Sequence, residues 1–566
     1  MLEANLIKMY EQSFRDNREM SAVTDYFTGE TYSYYGFAKE IAKLHLLFDE
    51  AGIKQGDKIA LVGRNTPRWC VVYIATITYG AVIVPIMQTF TSVDIAHIVN
   101  HSDSRLLFLT DSIWEGLDED SLPHVEAVFS ITDYHTLYER DEENRLTKFV
   151  NAMTENYRKH YPNGFTVNDI KYADVPNDAL MVLSYTSGTT GYSKGVMLTV
   201  NNLTANIHYA VTKINTSTKQ LWFQKGRRTL AFLPLAHAFG CAFDFLAPLA
   251  AGGHITLLGK MPTPKVLVEA MQNVQPNVIA SVPLVLEKIY RKQIMPLLEQ
   301  GALSVAIKVP LVNEIIRSKI RQKLLDSFGG NVELFIIGGA PINQETEAFL
   351  KSIHFPIIVG YGMTECAPLI SVTIDPSEFK IRSCGKFLKG MLDVKIDSED
   401  EQNIPGEILV KGECVMQGYY KNERDTAAVL DKEGWLHTGD MGTIDEDGTL
   451  YIKGRCKTMI LTETGQNIYP EQIEDKLNNL PLVAESLVLE SKGKLYGLVV
   501  PDFAICEKEG IDKIRLNEIM DENLKTLNSQ VAAYERLVSI VVYPTEFEKT
   551  PKKSIKRYLY DISKLV

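Results

Sequence analysis

Apolar residues fall along this chain in two textures. Up to about residue 440, helical patterns alternate with short apolar runs at 59–62, 106–109, 127–131, 255–258, 278–281 and 334–337. Runs this short, set between turn signals, fit strands buried on both faces. Strands alternating with helices predict βαβ units and mostly parallel sheets. The most apolar stretch runs from 69 to 86, interrupted by Thr76, Thr78, Gly80 and Pro85. It predicts a buried helix to about Tyr79 and then a strand at 81–84, not a membrane span. After Gly385 the texture changes to short alternating strands at 394–396 and 407–410, divided by Asn403, Pro405 and Gly406. A hairpin follows, turning on residues 445–448, where Asp447-Gly448 is a strong turn signal. Counting back from a pair between Ile444 and Thr449 sets Asp440 opposite Lys453, near Gly454 and Arg455. From about Thr458 the texture is α+β. A helix opens at Pro470-Glu471, and a second hairpin, 486–490 with 495–500, crosses Lys492-Gly493. The boundary between two domains is expected close to Lys457, giving units 1–456 and 457–566.

Composition narrows the function classes. At 566 residues the chain exceeds one ordinary hydrophobic core. Its 45% hydrophobic and 23% charged content is that of a globular protein, not of a disordered or membrane-embedded one. Fifty-nine Lys and Arg against 71 Asp and Glu leave a net charge of −12, a poor match for nucleic acid. Seven dispersed cysteines with no CxxC pair argue against a disulfide framework or a structural zinc site and suit a reducing cytoplasm. The first twenty residues mix charges throughout and show no secretory h-region.

The sharpest chemical signal is Tyr185-Thr186-Ser187-Gly188-Thr189-Thr190-Gly191-Tyr192-Ser193-Lys194-Gly195, directly after the apolar run 180–184. Glycines let backbone N–H groups approach a ligand, and hydroxyls with one lysine surround the space, as a polyphosphate requires. The spacing is not that of a Walker A loop. Two further strand-to-glycine junctions can face the same crevice: 334–337 running into Gly338-Gly339-Ala340-Pro341, and 357–359 running into Gly360-Tyr361-Gly362-Met363-Thr364-Glu365. Small residues admit a flat ring, Tyr361 can stack on it, Thr364 offers a hydroxyl, and Glu365 is a hard oxygen donor suited to Mg²⁺. A third set is Gly434-Trp435-Leu436-His437-Thr438-Gly439-Asp440 with Gly454-Arg455-Cys456-Lys457. Its Asp and Arg meet at the open end of the hairpin, where a carboxylate could accept both ribose hydroxyls or form only a structural salt bridge.

Taken in order, these motifs resemble the adenylate-forming superfamily of acyl-CoA synthetases, luciferases and nonribosomal-peptide adenylation domains. The resemblance runs from about Thr31 to Arg557 and includes Thr464-Gly465-Gln466-Asn467-Ile468-Tyr469-Pro470-Glu471-Gln472-Ile473-Glu474. That segment, with Ser281-Val282-Pro283 and Glu287-Lys288-Ile289-Tyr290, looks most like the long-chain fatty acyl-CoA synthetase branch. The resemblance implies an α/β fold: a large N-terminal domain of mostly parallel sheets flanked by helices, a small β-barrel-like part, and a small mobile α+β C-terminal domain. It implies two steps, in which a carboxylate attacks the α-phosphate of ATP and the CoA thiol then attacks the acyl-adenylate. By the same resemblance Thr186 through Lys194 hold the phosphates, Thr186 and Glu365 are the Mg²⁺ positions, and Thr364 lies near the α-phosphate. Gly339, Ala340, Gly360 and Tyr361 line the adenine, Asp440 and Arg455 take the ribose, Lys457 is the hinge, and Gly465 lies on the CoA path. His237 and Phe239 match the mouth of the acyl pocket, although His237 could equally be a satisfied core histidine.

One motif departs from the pattern. In Lys549-Thr550-Pro551-Lys552-Lys553-Ser554-Ile555-Lys556-Arg557 the place of the family's catalytic lysine holds Ser554. Either Lys553 substitutes after a one-residue shift or adenylation is impaired. The leading reading is an ATP-dependent long-chain fatty acid–CoA ligase; the alternatives are an acyl-AMP ligase loading a carrier protein and a catalytically weak acyl- or adenylate-binding protein. The implied partners are a fatty acid, ATP and CoA; peripheral membrane contact and oligomeric state are left open.

Overall fold

The fold was obtained as a computed structural model. The structure describes residues 2–186, 193–215, 219–259, 263–290, 310–461, 467–549 and 555–564. Ser187, Gly188, Thr189, Thr190, Gly191, Gly465, Lys552, Lys553 and Ser554 lie outside the described residues.

Among the described residues, two large sheets dominate the N-terminal part. One has nine strands, in the order Lys386–Phe387, Leu369–Val372, Ile357–Gly362, Leu334–Ile337, Val278–Ser281, Arg228–Ala231, His254–Leu257, Ser21–Asp25 and Thr31–Ser33. Its centre is parallel, and the strands at its two ends are antiparallel. The other has eight strands, in the order Gly418–Tyr419, Lys194–Thr199, Leu180–Thr186, Val82–Ile86, Lys58–Val62, Ser104–Leu109, Ala127–Ser130 and Thr136–Glu139. It too is parallel in its middle. The expected apolar runs are these strands; Val278–Ser281 and Leu334–Ile337 have the expected bounds.

The helix Pro67–Tyr79 shows how burial overrides propensity. Val71, Val72, Ile74, Thr76, Ile77 and Thr78 are β-branched and disfavour helix. Yet Pro67 sits in the first turn, Thr66 accepts from the Trp69 amide, and Gly80 closes the C-terminus at φ 91°. The buried hydroxyls of Thr76 and Thr78 donate to the carbonyls of Val72 and Ile74. The apolar faces of this helix and of Val200–Thr212 belong to one continuous core with side chains of both sheets. No described helix is long and apolar enough to cross a membrane.

The small β part is a four-stranded antiparallel sheet, Leu392–Asp397, Gly406–Gly412, Leu436–Ile444 and Leu450–Arg455. Here the expected register is corrected. Ile444 faces Leu450 and Gly442 faces Ile452, after which a bulge brings Asp440 opposite Arg455 rather than Lys453. The reason lies in the turn. Asp445 N donates to Thr449 O at 3.0 Å and Asp445 Oδ1 accepts from Thr449 N at 2.9 Å, so Thr449 is spent on closing the turn. The bulge at Met441/Gly442 then adds the second shift and re-aims the side chains beyond it.

Past Lys457 come the helix Pro470–Leu477, the antiparallel pair Val483–Ser491 and Lys494–Pro501, and the parallel strand Leu537–Val542. These build separate small cores around Leu477, Val499 and Leu527 and around Leu487 and Phe547.

Candidate functional site

The site forms where strand ends from both large sheets and the small sheet converge. Thr186 is the last residue of its strand and pairs with Lys194, the first of the next. That register alone sets the ends of the glycine-hydroxyl segment and aims Lys194 at one place. Lys194 Nζ lies 2.6 Å from Asp425 Oδ2 and 4.9 Å from the centroid of Tyr419. The Tyr419 hydroxyl donates to Glu365 Oε1 at 2.9 Å. Lys194 and Glu365 therefore flank a single aromatic ring. Burial, then the neighbouring Glu365 carboxylate, pushes the Tyr419 phenol up, which keeps it a donor.

Glu365 and Thr364 sit in a short 3-10 turn and are buried. The turn is fixed by its backbone: Met416 N donates to Glu365 O at 2.9 Å and Met363 N to Pro368 O at 2.8 Å. Gly362 lets the chain fold back this closely, since a Cβ there would stand 1.9 Å from Pro368 O. Among the described residues no three His, Cys, Asp or Glu side chains gather as a metal cage.

A second cluster lies at the edge of the small sheet. The Tyr361 hydroxyl donates to Asp440 Oδ2 at 2.7 Å, and Arg455 Nε approaches Asp440 Oδ1 at 3.2 Å. Asp440 is buried, whereas Arg455 is 68% exposed and can turn toward a ligand. Burial raises the Asp440 carboxyl above the ordinary range, opposed by Arg455 and the Tyr361 hydrogen bond. Tyr361 spans two sheets: it pairs through its backbone with Ser371 and reaches Asp440 with its side chain.

His237 caps a short helix, its Nδ1 accepting from Phe239 N at 3.3 Å. Phe239 lies across Gly338, where a Cβ would meet the ring at 3.1 Å, so Phe239 reaches the glycine turn ahead of Gly339 and Ala340. The π-helical segment Cys241–Leu246 follows. A small apolar cavity is lined by Tyr73, Leu203, Ala236, Ala238, Cys241 and Ala367 among others. Ala236 and Ala238 flank His237, and Ala367 is two residues past Glu365, so the cavity abuts the polar site.

Lys457 follows Arg455 by two residues, in the turn between the small sheet and the C-terminal helix. Thr458 Oγ1 donates to Glu471 Oε1 at 2.6 Å and Gln472 Nε2 to Lys453 O at 2.7 Å, spanning that turn. Arg382 approaches Asp475 at 3.5 Å, and Asn343 donates to Asn479. Arg557 donates to both oxygens of Glu474 at 2.7 and 2.8 Å, fixing the chain just after the lysine run.

The structure thus brings Thr186, Lys194, Thr364 and Glu365 to one side and Tyr361, Asp440 and Arg455 to the other. Sequence reasoning missed Tyr419 and Asp425. Tyr419 belongs to a two-residue strand that exists only through pairing with Val196 and Met197, and so leaves no periodicity. Asp425 had a faint signal: Asn422 three residues before it is an N-cap residue opening the helix Glu423–Ala427.

A family model described as AMP-binding enzyme matches residues 10–420, and one described as AMP-binding enzyme C-terminal domain matches 457–560. A long-chain-fatty-acid–CoA ligase of Gallus gallus is 28% identical over 78% of this chain and 60% of its own length. One from Mycobacterium bovis is 29% identical over 82% of this chain and 76% of its own. A 4-coumarate–CoA ligase of Vanilla planifolia is 24% identical over 94% and 88%. The chain spans only 60% of the length of the Gallus gallus ligase and 66% of that of a similar long-chain-fatty-acid–CoA ligase of Mus musculus. Among solved structures, ATP-bound MatB from Rhodopseudomonas palustris has the same fold, with a TM-score of 0.74 at 22% identity over 98% of both chains.

Proposed function

Because the chain belongs to the AMP-binding enzyme family, we propose that it joins an apolar carboxylic acid to coenzyme A through an acyl-adenylate, consuming ATP and releasing AMP and pyrophosphate. The observation that carries this reading is the meeting of three chemistries at one set of strand ends. Lys194 and Glu365 flank Tyr419, Tyr361 and Arg455 hold Asp440, and an apolar cavity opens beside His237. Lys194 then takes the outer phosphates, together with Ser187, Gly188, Thr189, Thr190 and Gly191. Asp440 accepts from the ribose, and Gly339, Ala340, Gly360 and Tyr361 border the base. Thr186 and Glu365 are hard oxygen donors, and Mg²⁺ characteristically takes one or two such groups beside substrate phosphates, so the pair fits that ion. When bound, the ion would neutralise phosphate charge.

The acid is assigned as a long-chain fatty acid. The small cavity beside His237 has an almost entirely apolar lining, which supports an acid with an apolar chain. The long-chain ligases among the relatives agree with this, while 4-coumarate–CoA ligases match at similar identity. For the first step the cation is assigned to Lys553. Lys457 is assigned as the hinge between steps and Gly465 to the CoA path. The test is AMP release over a panel of acids, with and without CoA. Long-chain fatty acids should support pyrophosphate exchange alone and acyl-CoA formation with CoA. Activity with aromatic acids only would move the substrate class, transfer only to carrier protein would move the acceptor, and no acid-dependent exchange would leave a binding protein.

A further inference from the structure

The ion pair between Lys194 and Asp425 has no place in the scheme above. We propose that Asp425 is a positioning residue that competes with the terminal phosphate of ATP for Lys194, and that it reclaims Lys194 as pyrophosphate leaves. This rests on the reading of Lys194 as a phosphate-binding residue.

Asp425 is the more firmly held partner. Its backbone amide donates to Asn422 Oδ1 at 3.0 Å, and Asn422 Nδ2 lies 3.2 Å from its carboxylate. The next residue, Thr426, donates to Asn422 O at 2.8 Å and accepts from Tyr419 N at 2.8 Å, which ties the helix to the strand bearing Tyr419. Lys194 has a flexible four-carbon stem, so the lysine is the part that moves. Its ammonium is shared between the Asp425 carboxylate at 2.6 Å and the Tyr419 ring at 4.9 Å. Both side chains are about one-third exposed, 30% and 34%, so an incoming anion can reach the pair from solvent. The lysine holds the Asp425 carboxyl below its usual range, so it stays ionised.

A polyphosphate bound to Lys194 places negative charge beside that carboxylate, and like charges at such range repel. ATP must therefore draw Lys194 away from Asp425, which weakens its binding. After the adenylate forms, the same carboxylate offers Lys194 a replacement anion without any diffusion step, which favours release of pyrophosphate.

The experiment compares Asp425→Asn, Asp425→Glu and Lys194→Ala in full-length enzyme. Asp425→Asn should lower both the KM for ATP and the inhibition constant for pyrophosphate by about two- to fivefold, the range of a partly exposed ion pair. Asp425→Glu, which keeps the charge, should return both constants toward the parent values. A KM for ATP that rises or stays fixed in Asp425→Asn overturns the competition, as does a Glu variant shifted as far as the Asn variant. Lys194→Ala separates the two readings. If it leaves ATP and pyrophosphate constants at parent values, the phosphate role of Lys194 itself is wrong.

Discussion

The two halves of the site are prepared differently. On the side we assign to the nucleoside, Asp440 is buried and already satisfied by Tyr361 and Arg455, with the register of one hairpin holding it. On the side we assign to the phosphates, the register places Thr186 and Lys194, but Lys194 is engaged by a carboxylate that no phosphate could share. A neutral, directional ligand such as a ribose can be met by acceptors fixed in advance. A mobile polyanion is better met by a cation that has somewhere else to go. Losing Asp440 should therefore cost ATP affinity, losing Glu365 should cost rate, and the Lys194–Asp425 pair should set how tightly ATP and pyrophosphate are held.

The largest effect should come from Glu365→Gln. Gln keeps the shape and can still accept from Tyr419, but it loses the charge. Fatty-acid-dependent pyrophosphate exchange should fall about a hundredfold or more, comparable to losing a positioned electrostatic group. The unfolding temperature should stay near the parent value, because an uncharged isostere rarely unfolds a domain. Parent-level exchange at saturating ATP and Mg²⁺ would remove Glu365 from the phosphate side.

Lys553→Ala should come next. An ammonium delivered to the developing charge is worth several kcal/mol, and Ser554 carries no charge to replace it. Exchange should fall strongly for Lys553→Ala and only mildly for Lys552→Ala, with partial recovery when Ser554→Lys is added to Lys553→Ala. If Lys553→Ala exchanges like the parent, another cation or none serves the first step.

Much of this was legible from residue order, and what was not has physical causes. Val278–Ser281 and Leu334–Ile337 were readable because strands buried on both faces must be apolar throughout and end at turn residues. Pro67–Tyr79 was readable as a helix despite its β-branched residues because it is too long for a strand and ends at Gly80. The Asp440 register misled because the bulge at Met441/Gly442 adds a residue that no local pattern announces. Tyr419 and Asp425 were hidden for a related reason. They reach Glu365 and Lys194 across intervals of 54 residues and more, and only the folded sheet edge joins them.

The nucleoside side is tested by Asp440→Asn. Asn still accepts from Tyr361 but loses the charge that strengthens a ribose hydrogen bond. A hydrogen bond to a charged group contributes about 1.5–3 kcal/mol, so the KM for ATP should rise about ten- to a hundredfold, with a smaller change in kcat. The pair with Arg455 adds little, because the guanidinium is 68% exposed. A fall in kcat with an unchanged KM would place Asp440 with the rate-determining groups and erase the contrast between the halves.

The smallest effect concerns the support beneath the site rather than either half. Asp244 sits in the π-helical segment that also lines the apolar cavity with Cys241, Ala242 and Leu246. It is 1% exposed, with the backbone of Ala280 and Leu233 beside its carboxyl. Burial, opposed by the backbone of Ala280 and Leu233, pushes its carboxyl well above the ordinary range, so between the unfolded and folded values the fold keeps a proton that the unfolded chain has lost. The sign follows from proton counting. Above the unfolded pKa the folded state binds the extra proton, so this residue's contribution to stability is complete in acid and is lost as pH rises toward the folded pKa. Asp244→Asn removes the titration. Its unfolding temperature should match the parent near pH 4 and exceed it by a few degrees at pH 8, while the constants for ATP stay at parent values. A parent and variant that keep the same difference at both pH values would mean that Asp244 is ionised in the fold. The buried segment would then carry a charge, and its apolar character could no longer be counted in favour of a fatty acid.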